Sequence, residues 1–232
     1  MSNLWQQIWE KRILQPQHAI TLDTLIALDG FDSGAGKINP ADWQEYTRRI
    51  SDKLGLKSGD SVFEVGCGAG AFLYALRQQH TLTVGGLDYA AGLIEAAQQA
   101  MPDGDFQAQA AQTMATDPQY DFVIANSVFH YFDEAMAAEV LQAMWQKAKV
   151  GIAILDIPHA ATREACEHAR RDALTIAEYE EKYRGLHHTY YTPEWFSQQL
   201  PERPQQAFES CVPNYAQSQY RFSVIFTKRL HG

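Results

Sequence analysis

The stretch Val62-Phe-Glu-Val-Gly-Cys-Gly-Ala-Gly70 decides the fold of this chain. It begins as an apolar run that is interrupted only by Glu64, a pattern typical of a strand buried in a parallel sheet. Glycines follow at positions 66, 68 and 70, and a helix-forming run of six residues comes next. Glycines let the backbone turn sharply and let a ligand lie against main-chain atoms, where any Cβ would collide with it. The stretch therefore predicts a strand, a ligand-holding glycine turn (residues 66–70) and a helix.

A second apolar run, residues 82–87, ends in Asp88. A carboxylate at the end of the second strand of an α/β unit can accept hydrogen bonds from both hydroxyls of a ribose. Together with the glycine turn, Asp88 indicates an α/β unit that binds a nucleoside.

Two classes of nucleoside fit the glycine turn. Because Ala71 completes the spacing G-x-G-x-x-[G/A], a dinucleotide such as NAD is one of them. A pyrophosphate needs backbone N–H groups and no nearby negative charge, so Glu64 would repel it. The same carboxylate suits S-adenosylmethionine (SAM), which carries an ammonium and a sulfonium. Dinucleotide domains also often open near their first strand, whereas about 60 residues precede this one. SAM is the favoured ligand.

The segment from Val62 to Asp156 resembles the class I SAM-dependent methyltransferases. Val62–Gly70 is similar to the first motif of that family, and Gly86-Leu-Asp88-Tyr89 is similar to its ribose-binding motif. Tyr120–Asn126, followed by Val128-Phe-His130, resembles its fourth strand. The resemblance implies an α/β fold with a doubly wound, mostly parallel, Rossmann-like sheet of seven strands and an N-terminal helical lid.

The resemblance also implies which residues hold SAM. The glycine turn would line the methionine half, Asp88 would bind the ribose, and Tyr89 would lie against the adenine. Gln109 stands where the family often has an acid, and its amide oxygen can still accept a hydrogen bond from the adenine amine. The predicted cofactor-binding residues are Glu64, Gly66, Cys67, Gly68, Asp88, Tyr89, Gln109, Ala110 and Asn126.

Strand and helix patterns alternate through the middle of the chain, as a doubly wound sheet requires. We expect strands at about 61–66, 82–87, 105–108, 120–125 and 149–156, and helices at about 70–79, 90–100 and 133–148. Two β-like runs, Gln206–Val212 and Gln219–Thr227, suit the antiparallel pair that closes the sheet in the family.

The remaining segments are predicted to be helical and to cover the site. Apolar spacing in residues 3–29 fits one or two amphipathic helices, and Asn39-Pro40 opens another helix that ends near Leu54. Further helices are expected at about 160–171, at 175–184 and after Thr192. The predicted domains are residues 1–56, N-terminal helices over the active site, and residues 57–232, a SAM-binding domain with an insertion at about 158–200.

Composition limits the partners. The chain has 232 residues, 46% of them hydrophobic and 20% charged, which is ordinary for a folded protein with one main domain. Its net charge of −9 argues against a nucleic-acid partner, because an enzyme acting on nucleic acid normally presents a basic face. The sequence gives no indication of oligomeric state.

Three widely spaced cysteines, at 67, 166 and 211, form no C-x-x-C pair and predict neither a disulfide framework nor a metal site. No apolar stretch of membrane-spanning length and no basic leader occur in the sequence. We expect a reduced cytoplasmic protein with no membrane partner.

Candidate catalytic residues follow the fourth strand. Asn126 stands just past the carboxyl end of that strand, where ligands of such sheets bind, although an asparagine can also simply cap a turn there. In the family this position approaches the methionine end of SAM. His130 can act as a general base near neutral pH or form a wall of the cofactor pocket.

An aromatic segment, Tyr183–Tyr191, lies where methyltransferases carry the insertion that covers the substrate. Aromatic faces attract a sulfonium or ammonium by cation–π interaction, and a tyrosine or histidine can orient or deprotonate an amine. His188, Tyr190 and Tyr191 are therefore candidate catalytic residues, although tyrosines at such positions can instead pack beneath a surface helix. No carboxylate lies at metal-ligand spacing from His187-His188, so no metal is expected.

Two further segments are candidates for the substrate side. Trp5 and Trp9 are four residues apart and share one helix face, which fits either a lid that excludes water or a helix packed on the core. Phe31-Asp32-Ser33, in a loop rich in small residues, is a candidate for substrate contact.

Three functions are compatible with the sequence. The first is methyl transfer from SAM to an oxygen, nitrogen or carbon nucleophile of a small molecule, because no Asn/Asp-Pro-Pro-Tyr signature of amino-methylating nucleic-acid enzymes follows the fourth strand. The second is cyclisation of SAM itself to azetidine-2-carboxylate, with release of methylthioadenosine, as in some members of this fold. The third is a SAM-binding protein without catalysis.

Overall fold

A computed structural model describes residues 4–15, 18–31, 37–172, 175–177 and 185–228. The helices are α1 (Leu4–Trp9), α2 (Leu22–Leu28), α3 (Pro40–Leu54), α4 (Ala71–Gln79), α5 (Ala91–Ala100), α6 (Glu134–Lys147), α7 (Arg163–Asp172) and α8 (Pro193–Gln199). The strands are β1 (Ser61–Val65), β2 (Thr83–Asp88), β3 (Asp105–Ala108), β4 (Tyr120–Asn126), β5 (Ala148–Pro158), β6 (Gln205–Glu209) and β7 (Arg221–Thr227).

The strands form one seven-stranded sheet in the order β3-β2-β1-β4-β5-β7-β6. β1 to β5 run parallel to one another, and β7 lies antiparallel between β5 and β6. This confirms the predicted doubly wound, mostly parallel sheet and its closing antiparallel pair.

Both faces of the sheet are covered, which explains why its central strands read as continuous apolar runs. One core packs α2, α3, α4 and α5 against one face. A second core packs α6 and α8 against the other face. Asn39 begins α3 as predicted, since its Oδ1 accepts a hydrogen bond of 2.9 Å from the Asp42 N–H, and Gly55 ends the helix at φ +68°.

The predicted element boundaries differ from the observed ones mainly after residue 150. β5 extends to Pro158, β6 ends at Glu209 rather than at Val212, and a 3₁₀ turn over residues 160–162 precedes α7. Most of the helix expected at 175–184, including Tyr183, falls outside the described residues, as do Asp32-Ser33.

The strand order places the predicted site. The parallel strands β2, β1, β4 and β5 are neighbours, so their carboxyl ends share one edge of the sheet. The chain reverses its winding direction between β1 and β4, which is where ligands of open α/β sheets bind. Among the described helices, none has the length and apolar character that crossing a bilayer would need.

Candidate active site

The glycine turn after β1 is tightly enclosed. Gly66 and Gly68 adopt φ angles of +69° and +54°, a left-handed conformation that side chains disfavour. A Cβ on Gly66 would lie 2.5 Å from Cγ2 of Val128, and a Cβ on Gly68 would lie 2.2 Å from Oδ1 of Asp29. Glycine is therefore required at both positions by backbone conformation and by space.

Asp29, which the sequence analysis did not single out, closes the turn from α2. Its Oδ1 accepts a hydrogen bond of 2.5 Å from the Ala69 N–H, and its Oδ2 accepts one of 3.0 Å from the Ala71 N–H. Burial raises the pKa of Asp29 to about 7, although these two N–H donors lower it. The Asp29 carboxylate thus accepts the hydrogen bonds of the two amide groups that lead into α4.

Asp88, at the end of β2, approaches the same turn. Its Oδ2 accepts a hydrogen bond of 3.2 Å from the Gly68 N–H, and its Oδ1 accepts one of 2.9 Å from the Ala90 N–H. Burial raises the pKa of this carboxyl above its usual range.

Glu64 is a third carboxyl group at this edge. It is 2% exposed, and among the described residues its Oε2 has no hydrogen-bond partner. Burial raises the pKa of Glu64 well above its ordinary value, and the nearby Asp29 and Asp88 raise it further. A buried carboxyl group in this state would be stabilised in its ionised form by a cationic ligand.

A cavity of about 510 Å³ opens in front of the glycine turn, within the size range of small-molecule sites. The three carboxyl groups line one part of it, and aromatic side chains form much of the rest. We call this space the central cavity. The predicted residues that line it are Glu64, Gly66, Cys67, Gly68, Asp88, Tyr89, Asn126, His130 and His188, together with Trp5, Trp9 and Phe31.

The N-terminal segment, residues 4–15, lies against the central cavity. Trp5, Ile8, Trp9 and Arg12 line it, and the indole Nε1 of Trp5 donates a hydrogen bond of 3.1 Å to the His187 carbonyl. The guanidinium of Arg12 donates to the carbonyl of Ala27 at 2.7 Å. These contacts join the start of the chain to α2 and to the aromatic segment.

Four rings form a continuous cluster at one wall of the central cavity. Trp5 and His188 stack with ring centroids 4.8 Å apart, and His188 meets His130 edge-on at 4.5 Å. Tyr131 lies 4.1 Å from His130 and 5.0 Å from Trp5. The structure thus brings His130 and His188 together, as parts of an aromatic wall.

Asn126 is held by a residue that sequence reasoning missed. The hydroxyl of Tyr46 on α3 donates a hydrogen bond of 2.7 Å to Asn126 Oδ1, and both side chains are buried. Burial raises the pKa of Tyr46 well above its ordinary value, so the hydroxyl remains a donor. With its oxygen engaged, Asn126 is oriented to offer its NH₂ group to the central cavity.

Four predicted site residues lie outside the cavity lining: Gln109, Ala110, Tyr190 and Tyr191. Tyr191 is 2% exposed, and its hydroxyl donates to the Phe132 carbonyl at 2.9 Å, so it is a core residue beneath the insertion. The ring of Tyr190 packs under the guanidinium of Arg163 at 5.3 Å, and the Gln109 amide donates to Thr113. This placement does not support catalytic roles for the two tyrosines. No group of side chains in the described part of the chain could hold a metal ion.

Comparison with known proteins identifies the domain. Residues 63–151, from β1 to the first half of β5, match a family model described as a methyltransferase domain. No curated protein sequence matches the chain.

Several solved methyltransferases share the fold. The magnesium protoporphyrin IX methyltransferase ChlM from Synechocystis PCC 6803, solved with bound SAM, is 16% identical, and the alignment covers 91% of this chain and 99% of that one with a TM-score of 0.58. The plantazolicin methyltransferase BpumL, in complex with S-adenosylhomocysteine (SAH), is 14% identical over 90% and 94% of the two chains, with a TM-score of 0.64.

A third solved structure is the N-methyltransferase NodS from Bradyrhizobium japonicum WM9 in complex with SAH, at 13% identity over 83% of this chain and 90% of that one, with a TM-score of 0.60. Residues 63–151 thus match a methyltransferase domain model, and the chain shares the fold of these solved methyltransferases, which confirms the fold that the glycine turn and Asp88 predicted.

Proposed function

We propose that this protein transfers the methyl group of SAM to a small molecule that enters the central cavity. The observation that carries the proposal is the occupation of the glycine turn by carboxylates. Two amides of the turn, on Gly68 and Ala69, and the first amide of α4, on Ala71, already donate to Asp88 or Asp29. In a dinucleotide site such amides bind a pyrophosphate, so their occupation favours a ligand without phosphate.

The charge of the site supports a cationic ligand. Asp29, Glu64 and Asp88 are buried around the turn, and burial raises the pKa of each carboxyl group. A ligand that carries an ammonium and a sulfonium would favour the ionised forms of these carboxyl groups. It would also give Glu64 Oε2 the interaction partner that it lacks among the described residues. SAM has both groups, and it supplies an electrophilic methyl carbon at the sulfonium.

The protein's own contribution to methyl transfer is positioning and exclusion of water. Gly66 and Gly68 let the turn adopt the left-handed conformation that would present its main chain to the methionine half, and Asp88 would accept hydrogen bonds from the ribose hydroxyls. Asn126, fixed by Tyr46, directs its amide towards the reacting region. The aromatic wall around His130 and His188 would offer π faces to the sulfonium, and π faces favour positive charge.

A small acceptor is favoured by the enclosure of the central cavity and by the net charge of −9. The N-terminal segment lines the cavity and contacts the aromatic segment through Trp5, and the acidic net charge disfavours a polyanionic acceptor. We propose that this N-terminal segment, residues 4–15, is the lid over the central cavity.

The test is a product analysis with and without an acceptor. Purified protein is incubated with SAM alone and with SAM plus fractions of a metabolite extract, and the nucleoside products are separated by chromatography. SAH that forms only with an added fraction supports methyl transfer. Methylthioadenosine formed from SAM alone would show cyclisation instead, and tight SAM binding without any product would show a binding protein.

A variant checks the cofactor site separately. Asp88→Ala should weaken SAM binding by about 1.5–3 kcal/mol, the range for a hydrogen bond to a charged group. Unchanged affinity in calorimetry would contradict the ribose assignment.

A further inference from the structure

The far end of the central cavity contains a buried charge pair that the proposed cofactor site does not use. Arg221 opens β7 and lines the cavity, and Asp156 lies near the end of β5. They are 7% and 1% exposed. Nη1 of Arg221 donates to Asp156 Oδ2 at 2.8 Å and to the Asp156 carbonyl at 2.9 Å.

The backbone around Asp156 is shaped to hold this pair. The register of β5 against β7 shifts between Ile154 and Ile157, and Asp156 adopts a φ of +56° there. Ser127, the first residue after β4, has a φ of +54°, and its Oγ lies 2.5 Å from Asp156 Oδ2. Left-handed conformations of residues other than glycine cost free energy and cluster at functional sites.

Asp156 leaves the Nε–H of the arginine without a hydrogen-bond acceptor in the described part of the chain. The pair engages Nη1, whereas Nε of Arg221 is buried and has no hydrogen-bond partner among the described residues. In a planar guanidinium, the Nε–H points parallel to one Nη2–H, and this edge matches the two oxygens of a carboxylate. A buried donor without a partner costs free energy, which a bound carboxylate would recover.

Gln217 is a second donor in the lining of the same cavity. It is 6% exposed and lines the central cavity, and its Oε1 accepts from the Cys166 thiol at 3.4 Å. Because its oxygen is engaged, Gln217 offers its NH₂ group as the donor end.

The position of Arg221 separates it from the cofactor site. Between β1, which carries the glycine turn, and β7 lie β4 and β5. Three strand spacings amount to about 14 Å, so Arg221 faces the acceptor side of the cavity. The carboxyl groups Glu64, Asp29 and Asp88 lie on the opposite side, around β1 and β2.

We propose that Arg221 and Gln217 form a subsite for a carboxylate of the methyl acceptor, with Asp156 as a positioning residue. The inference rests on the proposed function and narrows its acceptors to small carboxylic acids.

The experiment measures binding of acetate to the complex with SAH, by saturation-transfer NMR, with acetamide as the neutral probe of similar shape. Wild-type protein should give a saturable acetate signal and a much weaker acetamide signal. The double variant Asp156→Asn/Arg221→Gln removes both charges together and so leaves no buried unpaired ion. In it, acetate affinity should fall at least about tenfold, the effect of losing a charge-assisted hydrogen bond, while SAH affinity stays unchanged.

Ser210→Ala provides the matched control. Ser210 Oγ donates to Asp156 Oδ1 at 2.9 Å but does not line the cavity, so this variant disturbs the aspartate and should retain acetate binding. Absence of a saturable acetate signal in the wild type, equal binding of acetamide, or acetate binding that the double variant leaves intact would overturn the inference. Failure of SAH to bind would instead overturn the proposed function, so the two failures are distinguishable.

Discussion

Binding of SAM should release a proton from Asp29, and its affinity should therefore rise with pH. Without ligand, burial raises the pKa of Asp29 to about 7. A cationic ligand nearby stabilises the ionised carboxylate and lowers that pKa, so the bound state holds fewer protons than the free state. The affinity for SAM is therefore higher above pH 7 than below it, and it decreases as the pH falls.

The magnitude follows from the pKa. A carboxyl group with a pKa of about 7 is only about one-tenth ionised at pH 6, so an affinity that needs the ionised form is about tenfold lower there than on its upper plateau. The α-amine of the ligand, with a pKa of about 7.7–8.0, stays mostly protonated up to pH 7, so the change in affinity between pH 6 and pH 7 reports the carboxyl group.

The assay is calorimetric titration of SAM from pH 6 to pH 7.5, in two buffers of different ionisation enthalpy that report the released proton. Asp29→Asn is the comparison, because it keeps one acceptor oxygen for the turn and removes the titrating group. Glu64, Asp88, His130 and His188 also line the cavity and titrate, but they are present in both proteins. Parallel pH profiles for the wild type and the variant would refute the assignment to Asp29.

Two further predictions use matched pairs of variants. Gly66→Ala should abolish SAM binding because its Cβ would collide with Val128. Gly55→Ala is the control: it has a similar φ and no atom of a described residue within 4 Å of the added Cβ, so it should lower stability without affecting SAM binding. Equal SAM affinities of the two variants would contradict this prediction. Tyr46→Phe should lower turnover and destabilise the fold by about 1–3 kcal/mol, since it leaves a buried amide oxygen without its donor. Tyr191→Phe should destabilise the fold with little change in turnover, and a similar loss of turnover in both variants would show that the effect of Tyr46 is general.

The fold was largely predictable because its signals are local. An apolar run, a glycine turn and a helix occupy consecutive residues at β1 and α4, and each pattern fixes its own backbone conformation. The closing antiparallel pair was predicted from the family resemblance rather than from such a pattern. The extension of β5 to Pro158 follows the register shift between Ile154 and Ile157, after which β5 still pairs with β7, and no local pattern marks this extension.

The residues of the candidate site that were missed act over long separations. Asp29 lies 40 residues before the amide of Ala69 that it accepts from, and Tyr46 lies 80 residues before Asn126. Asp29 follows the end of a helix and Tyr46 lies inside an amphipathic helix. Both residue types are common at such positions, so the local sequence gives no sign of their role in the site. Tyr191 was a candidate because it belongs to a dense aromatic segment, and the structure places its side chain in the core, which was the alternative that the sequence left open.

The Asp29 carboxylate, which comes from a separate part of the chain, occupies the amides of Ala69 and Ala71 and so blocks them from other acceptors. The amides that it covers are those that an anion would otherwise contact, so ligand preference depends on sequence far from the turn itself. A protein shortened past Asp29 would present bare amides at the start of α4. Such a protein would be expected to lose selectivity against adenosine phosphates, because its glycine turn would become an anion-binding site.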